Sequence, residues 1–166
     1  MADKMAVMNG GFLQQYDTPA NVFNNPVNMF VASFIGSPAM SLVPLKAVRH
    51  GTDVALASPE GWELPLSAAN GRKALGAKSD KIVVGARHST IQLSKEQLPG
   101  SVPAKVYTVE PTGDVTYVQV FLSGSPVNIS LPPTVQIRPD EQVFLSFDQD
   151  KLHLFDGETE MALSAA

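Results

Sequence analysis

The sequence predicts a mainly β fold, a small antiparallel barrel or sandwich preceded by a short hairpin and two short helices. From Ser41 onward, short apolar runs recur about every ten residues, as in antiparallel barrels and sandwiches. Glycine and proline residues separate many of these runs, and the chain of 166 residues holds 12 Gly and 13 Pro. The residues before Ser41 instead carry a hairpin turn followed by helical spacing. The chain is therefore expected to divide near residue 40.

The first predicted element is a hairpin. Apolar runs at residues 5–8 and 12–15 flank the sequence Asn9-Gly10-Gly11. An Asn-Gly pair between two such runs favours a tight turn because both residues tolerate a positive φ. Thr18 and Pro19 then predict a helix start, with Thr18 as the N-cap. This helix is expected over residues 20–24 and to end before Pro26.

A second helix is predicted from Pro26 onward. Its apolar residues fall at the spacing of one helical face: Val27, Phe30, Val31, Phe34 and Ile35. Gly36 and Pro38 mark its end. The face is expected to pack on a core. Alternatively it packs on a neighbouring domain, because residues 1–40 alone enclose too little core.

The remaining chain predicts a series of strands. They are expected at residues 43–48, 53–57, 62–66, 81–87, 102–110, 115–122, 127–131, 142–147 and 151–155. Within 115–122 both alternating sets of residues are strand formers, so one face is expected to be buried and the other half covered. A helical turn is possible within residues 66–75.

Composition excludes several classes of function. The chain has no Cys, so thiol catalysis and cysteine–zinc sites are excluded. Its net charge of −4 and its dispersed basic residues argue against nucleic acid as a partner. No P-loop or hydrolase motif occurs, and the three His residues show no metal-binding spacing. No apolar run is long enough for a membrane span or a signal peptide, which predicts a cytosolic protein without membrane insertion.

Three N-terminal segments together resemble a known family. Residues 3–15 resemble "ADRIVVMNxGxIxQ", residues 16–26 resemble "GTPxEIYxxP", and residues 30–40 are close to "FVAxFIGxPxMN". These motifs are found in the ATP-binding subunits of bacterial ABC importers, in the branch that imports carbohydrates and glycerol phosphate. The maltose importer's ATPase belongs to this branch.

Later segments resemble the same family in the same order. Residues 84–87 resemble the start of "GIRPE", residues 106–113 resemble "VxxVExxG", and residues 152–159 resemble "LHLFDxxTG". The chain departs from these patterns at three places. Ser41 replaces Asn after Met40, His88 and Ser89 replace the Pro-Glu pair, and Glu160 replaces the closing Gly.

The resemblance implies two regions. Residues 1–40 would be the C-terminal remnant of the nucleotide-binding domain, and residues 41–166 would be an OB/TOBE-like regulatory β domain. The ATP-handling motifs would lie upstream in the parent subunit, which uses ATP and magnesium. This chain alone would then be no enzyme and would hold no cofactor.

The implied function is regulation and dimerisation of the ATP-binding subunit of an importer for sugars or sn-glycerol 3-phosphate. Its expected partners are a second copy of the subunit, the membrane subunits through the missing ATPase domain, and a regulatory protein. The full complex would lie at the cytoplasmic, inner face of the cell membrane. Subunit pairing and partner binding would be coupled there to ATPase activity.

Five residues are candidates for contacts with partners: Trp62, Glu110, Gly113, Phe34 and Met40. Trp62 is the single Trp of the chain, and Trp often anchors interfaces. Each candidate also has a structural explanation, as a core or turn residue. An alternative function is a small-ligand or oxyanion-binding barrel, for which Ser37, Lys46, Ser123 and Ser125 are candidates. A stand-alone hydrolase is a third hypothesis.

Overall fold

A β-hairpin and two short helices form the N-terminal segment (residues 3–40) of the computed structural model, which describes residues 3–164. The elements are β1 (Met5–Asn9), β2 (Phe12–Asp17), α1 (Pro19–Asn24) and α2 (Met29–Phe34). Strands β1 and β2 pair antiparallel, which confirms the predicted hairpin. The predicted cap of α1 is also present, because the Thr18 side chain accepts a hydrogen bond from the Asn21 N–H at 3.2 Å.

The second helix differs from its prediction in start and in burial. It begins at Met29, because the Asn28 side chain accepts a hydrogen bond from the Val31 N–H at 3.0 Å and caps it there. Its predicted apolar face is only partly buried. Val31 is fully buried, whereas Phe34 is 66% exposed and stacks on Phe30.

The β region (residues 41–164) contains two antiparallel five-stranded sheets and one helix. The strands are β3 (Ser41–His50), β4 (Asp53–Ala57), β5 (Glu63–Pro65), β6 (Lys81–Ala86), β7 (Ile91–Ser94), β8 (Val102–Pro111), β9 (Thr116–Leu122), β10 (Ser125–Leu131), β11 (Gln142–Phe147) and β12 (His153–Asp156). The first sheet has the order β12-β6-β3-β4-β5, and the second has the order β10-β9-β8-β11-β7. The helix α3 (Ala68–Leu75) confirms the helical turn predicted within residues 66–75.

The inner faces of both sheets contribute to one core. Strand β9 shows the expected alternation, since Val118, Val120 and Leu122 are buried while Phe121 is 43% exposed. Ser41 links the sheets directly, because its Oγ accepts the N–H of Asn128 on β10 at 3.0 Å. The structure thus confirms a mainly β, OB-like half-barrel.

Strand β7 is the element that the sequence did not predict. It covers four residues and follows a single turn of 3-10 helix at His88–Thr90. Its pairing with β11 places Leu93 opposite Leu145. So short an edge strand has too few residues for a recognisable alternation, and its partner β11 stabilises it. Between residues 3 and 164, no helix is long and apolar enough to span a membrane.

Candidate functional site

Arg87, at the end of β6, joins the β region to the N-terminal segment. Its side chain is 6% exposed, with Nη1 donating to the carbonyl oxygen of Ile35 at 2.6 Å and Nη2 to that of Phe23 at 2.9 Å. The guanidinium carbon also lies 4.0 Å from the centre of the Phe23 ring. Both carbonyls belong to the last turns of α1 and α2, where the backbone carries partial negative charge. Arg87 therefore binds the ends of both helices.

Burial lowers the pKa of Arg87, yet a guanidinium group remains protonated at neutral pH. The Arg87 guanidinium thus holds a permanent positive charge against the N-terminal segment. Its Nε atom is buried, and the Nε N–H donates to no acceptor of the described residues.

Two glycines let the backbone segments approach at this junction (the contact region of residues 3–40 with residues 41–164). A Cβ on Gly36 would lie 2.7 Å from Nη1 of Arg87, and the φ of Gly36 is +111°. A Cβ on Gly85 would lie 2.9 Å from Cε2 of Phe155 and would overlap the sulfur of Met40. A side chain at either position would therefore push the two parts of the chain apart.

A small apolar cluster lies at the same place. Ala32 from α2 and Met40 from the following loop pack with Val83 on β6 and Phe155 on β12. Met40 is 5% exposed and Phe155 is fully buried. The junction thus combines apolar burial with the hydrogen bonds of Arg87.

The C-terminal residues 160–163 form a third connection, which we call the strap. The Ala162 N–H donates to the Val27 carbonyl at 2.9 Å, and the Met29 N–H donates to the Glu160 carbonyl at 3.0 Å. The Leu163 N–H donates to the Leu154 carbonyl at 2.8 Å. The strap is therefore bonded both to the N-terminal segment and to β12.

Asp156 holds the turn that leads from β12 into the strap. Its carboxylate is 2% exposed and accepts the N–H groups of Lys78 at 2.7 Å, Glu158 at 2.8 Å and Thr159 at 3.3 Å. The hydrogen bonds from the Glu158 and Lys78 N–H groups lower the pKa of Asp156. The charged carboxylate holds the turn after β12 beside the loop before β6.

Residues from three of the segments described above as resembling family motifs meet at this junction. They are segments 30–40, 84–87 and 152–159, which contribute Met40, Gly85, Arg87, Phe155 and Asp156. Sequence reasoning included these residues in the motifs but assigned a contact role only to Met40. The sequence shows an Arg at position 87, but its burial depends on the helices packed against it and cannot be read from the sequence.

The five predicted contact residues do not form one cluster around a single element. Phe34 and Met40 belong to the junction, with Phe34 exposed and Met40 in its core. Glu110 and Gly113 are exposed at the end of the β8–β9 hairpin, while Trp62 is half-buried beside β5 and packs on the main core. Their contacts with partners stay predictions.

Two of the four residues of the alternative oxyanion hypothesis, Lys46 and Ser123, already have side-chain partners within the described chain. The ammonium group of Lys46 lies 3.5 Å from a carboxylate oxygen of Asp80. The hydroxyl of Ser123 lies 2.6 Å from that of Ser58, and Ser125 follows at the start of β10. Ser37 precedes a cis-proline in the loop after α2. Across residues 3–164, no group of three or more His, Asp or Glu residues could hold a metal ion.

A known domain family matches part of the β region. The family model described as "TOBE domain" matches residues 80–155. Residues 80–155 form a TOBE domain. The TOBE domain runs from the start of β6 almost to the end of β12. Strand β3 pairs with β6 and lies outside the matched range, so β3 and its neighbours complete the sheet of the TOBE domain.

Relatives of the whole chain are ATP-binding proteins of ABC transporters. The chain is 38% identical over 96% of its length to an uncharacterized ABC transporter ATP-binding protein, y4oS, of Sinorhizobium fredii. It is 30% identical over 98% of its length to the sulfoquinovosyl glycerol transport ATP-binding protein SmoE of Agrobacterium fabrum. It is 35% identical over 96% of its length to the sn-glycerol-3-phosphate import ATP-binding protein UgpC of Escherichia coli. The chain spans 40%, 44% and 43% of these relatives, respectively.

A solved structure shares the fold. The cytoplasmic molybdate-binding protein ModG superposes with a TM-score of 0.52, at 14% identity, and covers 73% of this chain and 97% of its own. This similarity supports the OB-like assignment of the β region.

Proposed function

We propose that this chain is the regulatory and dimerisation part of the ATP-binding subunit of an ABC importer for sugars or sn-glycerol 3-phosphate. The observation that carries the proposal is the Arg87 junction, which bonds the TOBE domain to the ends of two helices in the N-terminal segment. A partner that moves the TOBE domain would also move these helices. Binding at the TOBE domain could then alter the ATPase by population shift.

In this proposal, residues 1–40 are the end of the ATPase domain and residues 41–166 are the regulatory domain. The hairpin supports the division. Its large apolar side chains are exposed, with Met8 at 51%, Phe12 at 75%, Leu13 at 58% and Tyr16 at 62%. A two-stranded hairpin is marginal in water without further cover. The rest of the ATPase domain would supply that cover.

The β8–β9 hairpin is the surface we propose for pairing with a second copy. Tyr107 is 59% exposed, and its ring packs edge-on against Phe121 with 5.1 Å between ring centres. The predicted residues Glu110 and Gly113 lie on the same hairpin. Exposed aromatic side chains are typical of interface anchors. Pairing at this surface would keep two ATPase domains close and raise their effective concentration.

The remaining partners belong to the parent subunit in this proposal. The ATPase domain would bind ATP and magnesium and contact the membrane subunits, and a regulatory protein would dock on the TOBE domain. The complex would lie at the cytoplasmic face of the membrane. The chain alone should show no ATP turnover, and measurable turnover by the purified chain would favour the stand-alone hydrolase instead.

Light scattering across protein concentration tests the pairing. We expect the apparent mass to rise toward twice the monomer mass in the range of tens of micromolar, about the affinity of a weak protein pair. The double substitution Tyr107→Ser with Phe121→Ser should weaken this association at least about tenfold, which corresponds to losing ~1.4 kcal/mol. Tyr16→Ser, which removes an exposed aromatic of the N-terminal hairpin, is the matched control. A monomer at every concentration, or equal loss in both variants, would reject this surface.

A further inference from the structure

An open cavity lies beside the Arg87 junction. Its volume is about 800 Å³. Its walls come from the end of α1 and the loop after it, from α3, from Arg87 and the turn after it, from residues 150–154 and from residues 162–164. Pockets that bind small molecules usually measure roughly 300–1,000 Å³. The cavity is therefore large enough for a small organic ligand that touches both parts of the chain.

The charged side chains that line this cavity are mostly cationic. Lys73, Arg87 and Lys151 line it, together with His153, and the one acidic lining residue within the described chain is Asp150. None of the three cations forms an ion pair with a carboxylate of the described residues, whereas Lys46, Lys95 and Lys105 do. The three cations are thus not paired directly with a carboxylate of the described residues.

Arg87 supplies a second, independent observation. It is 6% exposed and lines the cavity, and its Nε is buried without a hydrogen-bond partner among residues 3–164. The two bonds to Phe23 and Ile35 use only two of the five N–H donors of the guanidinium. Burying a guanidinium that is paired only with neutral carbonyls is costly, and an anion in the cavity beside it would offset part of that cost.

We propose that this cavity binds a small molecule carrying a tetrahedral oxyanion, of the phosphate monoester class. Its oxyanion would contact Arg87, Lys73 and Lys151, and its organic part would lie against the apolar lining that includes Pro26 and Leu152. Three cations around one cavity match a group with several charged oxygens, since guanidinium and ammonium groups are both frequent phosphate ligands. The site is separate from Ser37, Lys46, Ser123 and Ser125. A bound ligand would bridge the two parts of the chain and stabilise the junction.

His153 provides a reporter inside the cavity. Burial and the positive charges of Arg87 and Lys73 lower the pKa of His153, so the ring is neutral at pH 7. Asp150 is the acidic group that lines the same cavity. An oxyanion bound between the cations would oppose their charge and raise the pKa of His153.

The experiment is an NMR titration of the His153 ring in the full chain at low ionic strength. The probes are sn-glycerol 3-phosphate, inorganic phosphate and, as the neutral control, glycerol. We expect saturable shifts of the His153 signals with both phosphates, an upward shift of its pKa at saturation, and no change with glycerol. Tighter binding of the ester than of inorganic phosphate would support the monoester class, and equal or weaker binding of the ester would overturn that assignment.

Matched variants separate a site from general screening. The double substitution Lys73→Gln with Lys151→Gln should weaken binding at least about tenfold, since two charged ligands are lost. Lys105→Gln, which removes an exposed cation on β8, should leave the affinity unchanged. No saturable shift, an equal effect of all variants, or the same shift with chloride at matched ionic strength would overturn the proposal.

Discussion

At the junction, groups from three separate stretches of chain are buried together, whereas the β8–β9 hairpin presents aromatic side chains to solvent. Arg87, Gly85 and Asp156 have their partners within the protein. Tyr107 and Phe121 contact each other and remain exposed. The difference teaches that residues in recognisable motifs can serve the internal coupling of two parts. The surface that we propose for pairing lies elsewhere, on the β8–β9 hairpin, where the aromatic side chains have no such cover within the described residues.

The largest loss of stability is expected when the charged side chain of Arg87 is removed from the junction. Arg87→Met removes two hydrogen bonds to helix-end carbonyls and the contact with the Phe23 ring, while it keeps an apolar stem. Hydrogen bonds to charged groups contribute about 1.5–3 kcal/mol each, and Met restores part of the packing, so we expect a loss of about 3 kcal/mol. Urea unfolding measures this loss. The exposed Arg49→Met is the control, and equal stability of the two variants would show that the junction is not held by Arg87.

A smaller effect, with a defined pH dependence, is expected at Asp156. Its pKa is lower in the folded than in the unfolded chain, so its stabilisation is present above the unfolded value, near 3.9, and is lost as the pH falls through the folded value. Asp156→Asn should cost about 2 kcal/mol at pH 7. The variant should also lose less stability than the parent chain on acidification.

Urea unfolding of parent and variant between neutral and acidic pH tests the Asp156 prediction. Asp114→Asn, at an exposed position in the β8–β9 turn, is the matched control and should follow the parent at every pH. An unchanged gap between parent and Asp156→Asn from pH 7 down to below the folded pKa would contradict the assignment of the charge.

The smallest effect on folding is expected on the β8–β9 hairpin. Phe121→Ser changes an exposed side chain, so the free energy of unfolding should change by no more than about 0.5–1 kcal/mol. The ring contact with Tyr107 accounts for most of that change. Thermal unfolding at low protein concentration measures it without interference from pairing. A loss as large as that of Arg87→Met would remove the contrast between the two regions.

Much of the fold could be predicted from the sequence because its signals are local. The Asn9-Gly10 turn, the Thr18 cap and the alternation of residues 116–122 each depend on neighbours within a few residues, and the structure shows all three. The predicted start of α2 at Pro26 was wrong, because the side chain of Asn28 caps the helix and it begins at Met29. Strand β7 was missed because four residues carry too little pattern.

The β class, the hairpin, the Thr18 cap and the resemblance to importer subunits could all be read from the sequence alone, since they depend on local conformation and on the order of motifs. Only the tertiary structure decided that Arg87 reaches Ile35 and Phe23, which lie 52 and 64 residues away. It also placed Met40 against Phe155 and gathered Lys73, Lys151 and His153 around one cavity. The physical reason is that burial and the partner of a charge are set by the packing of distant segments. No local pattern of residues records that packing.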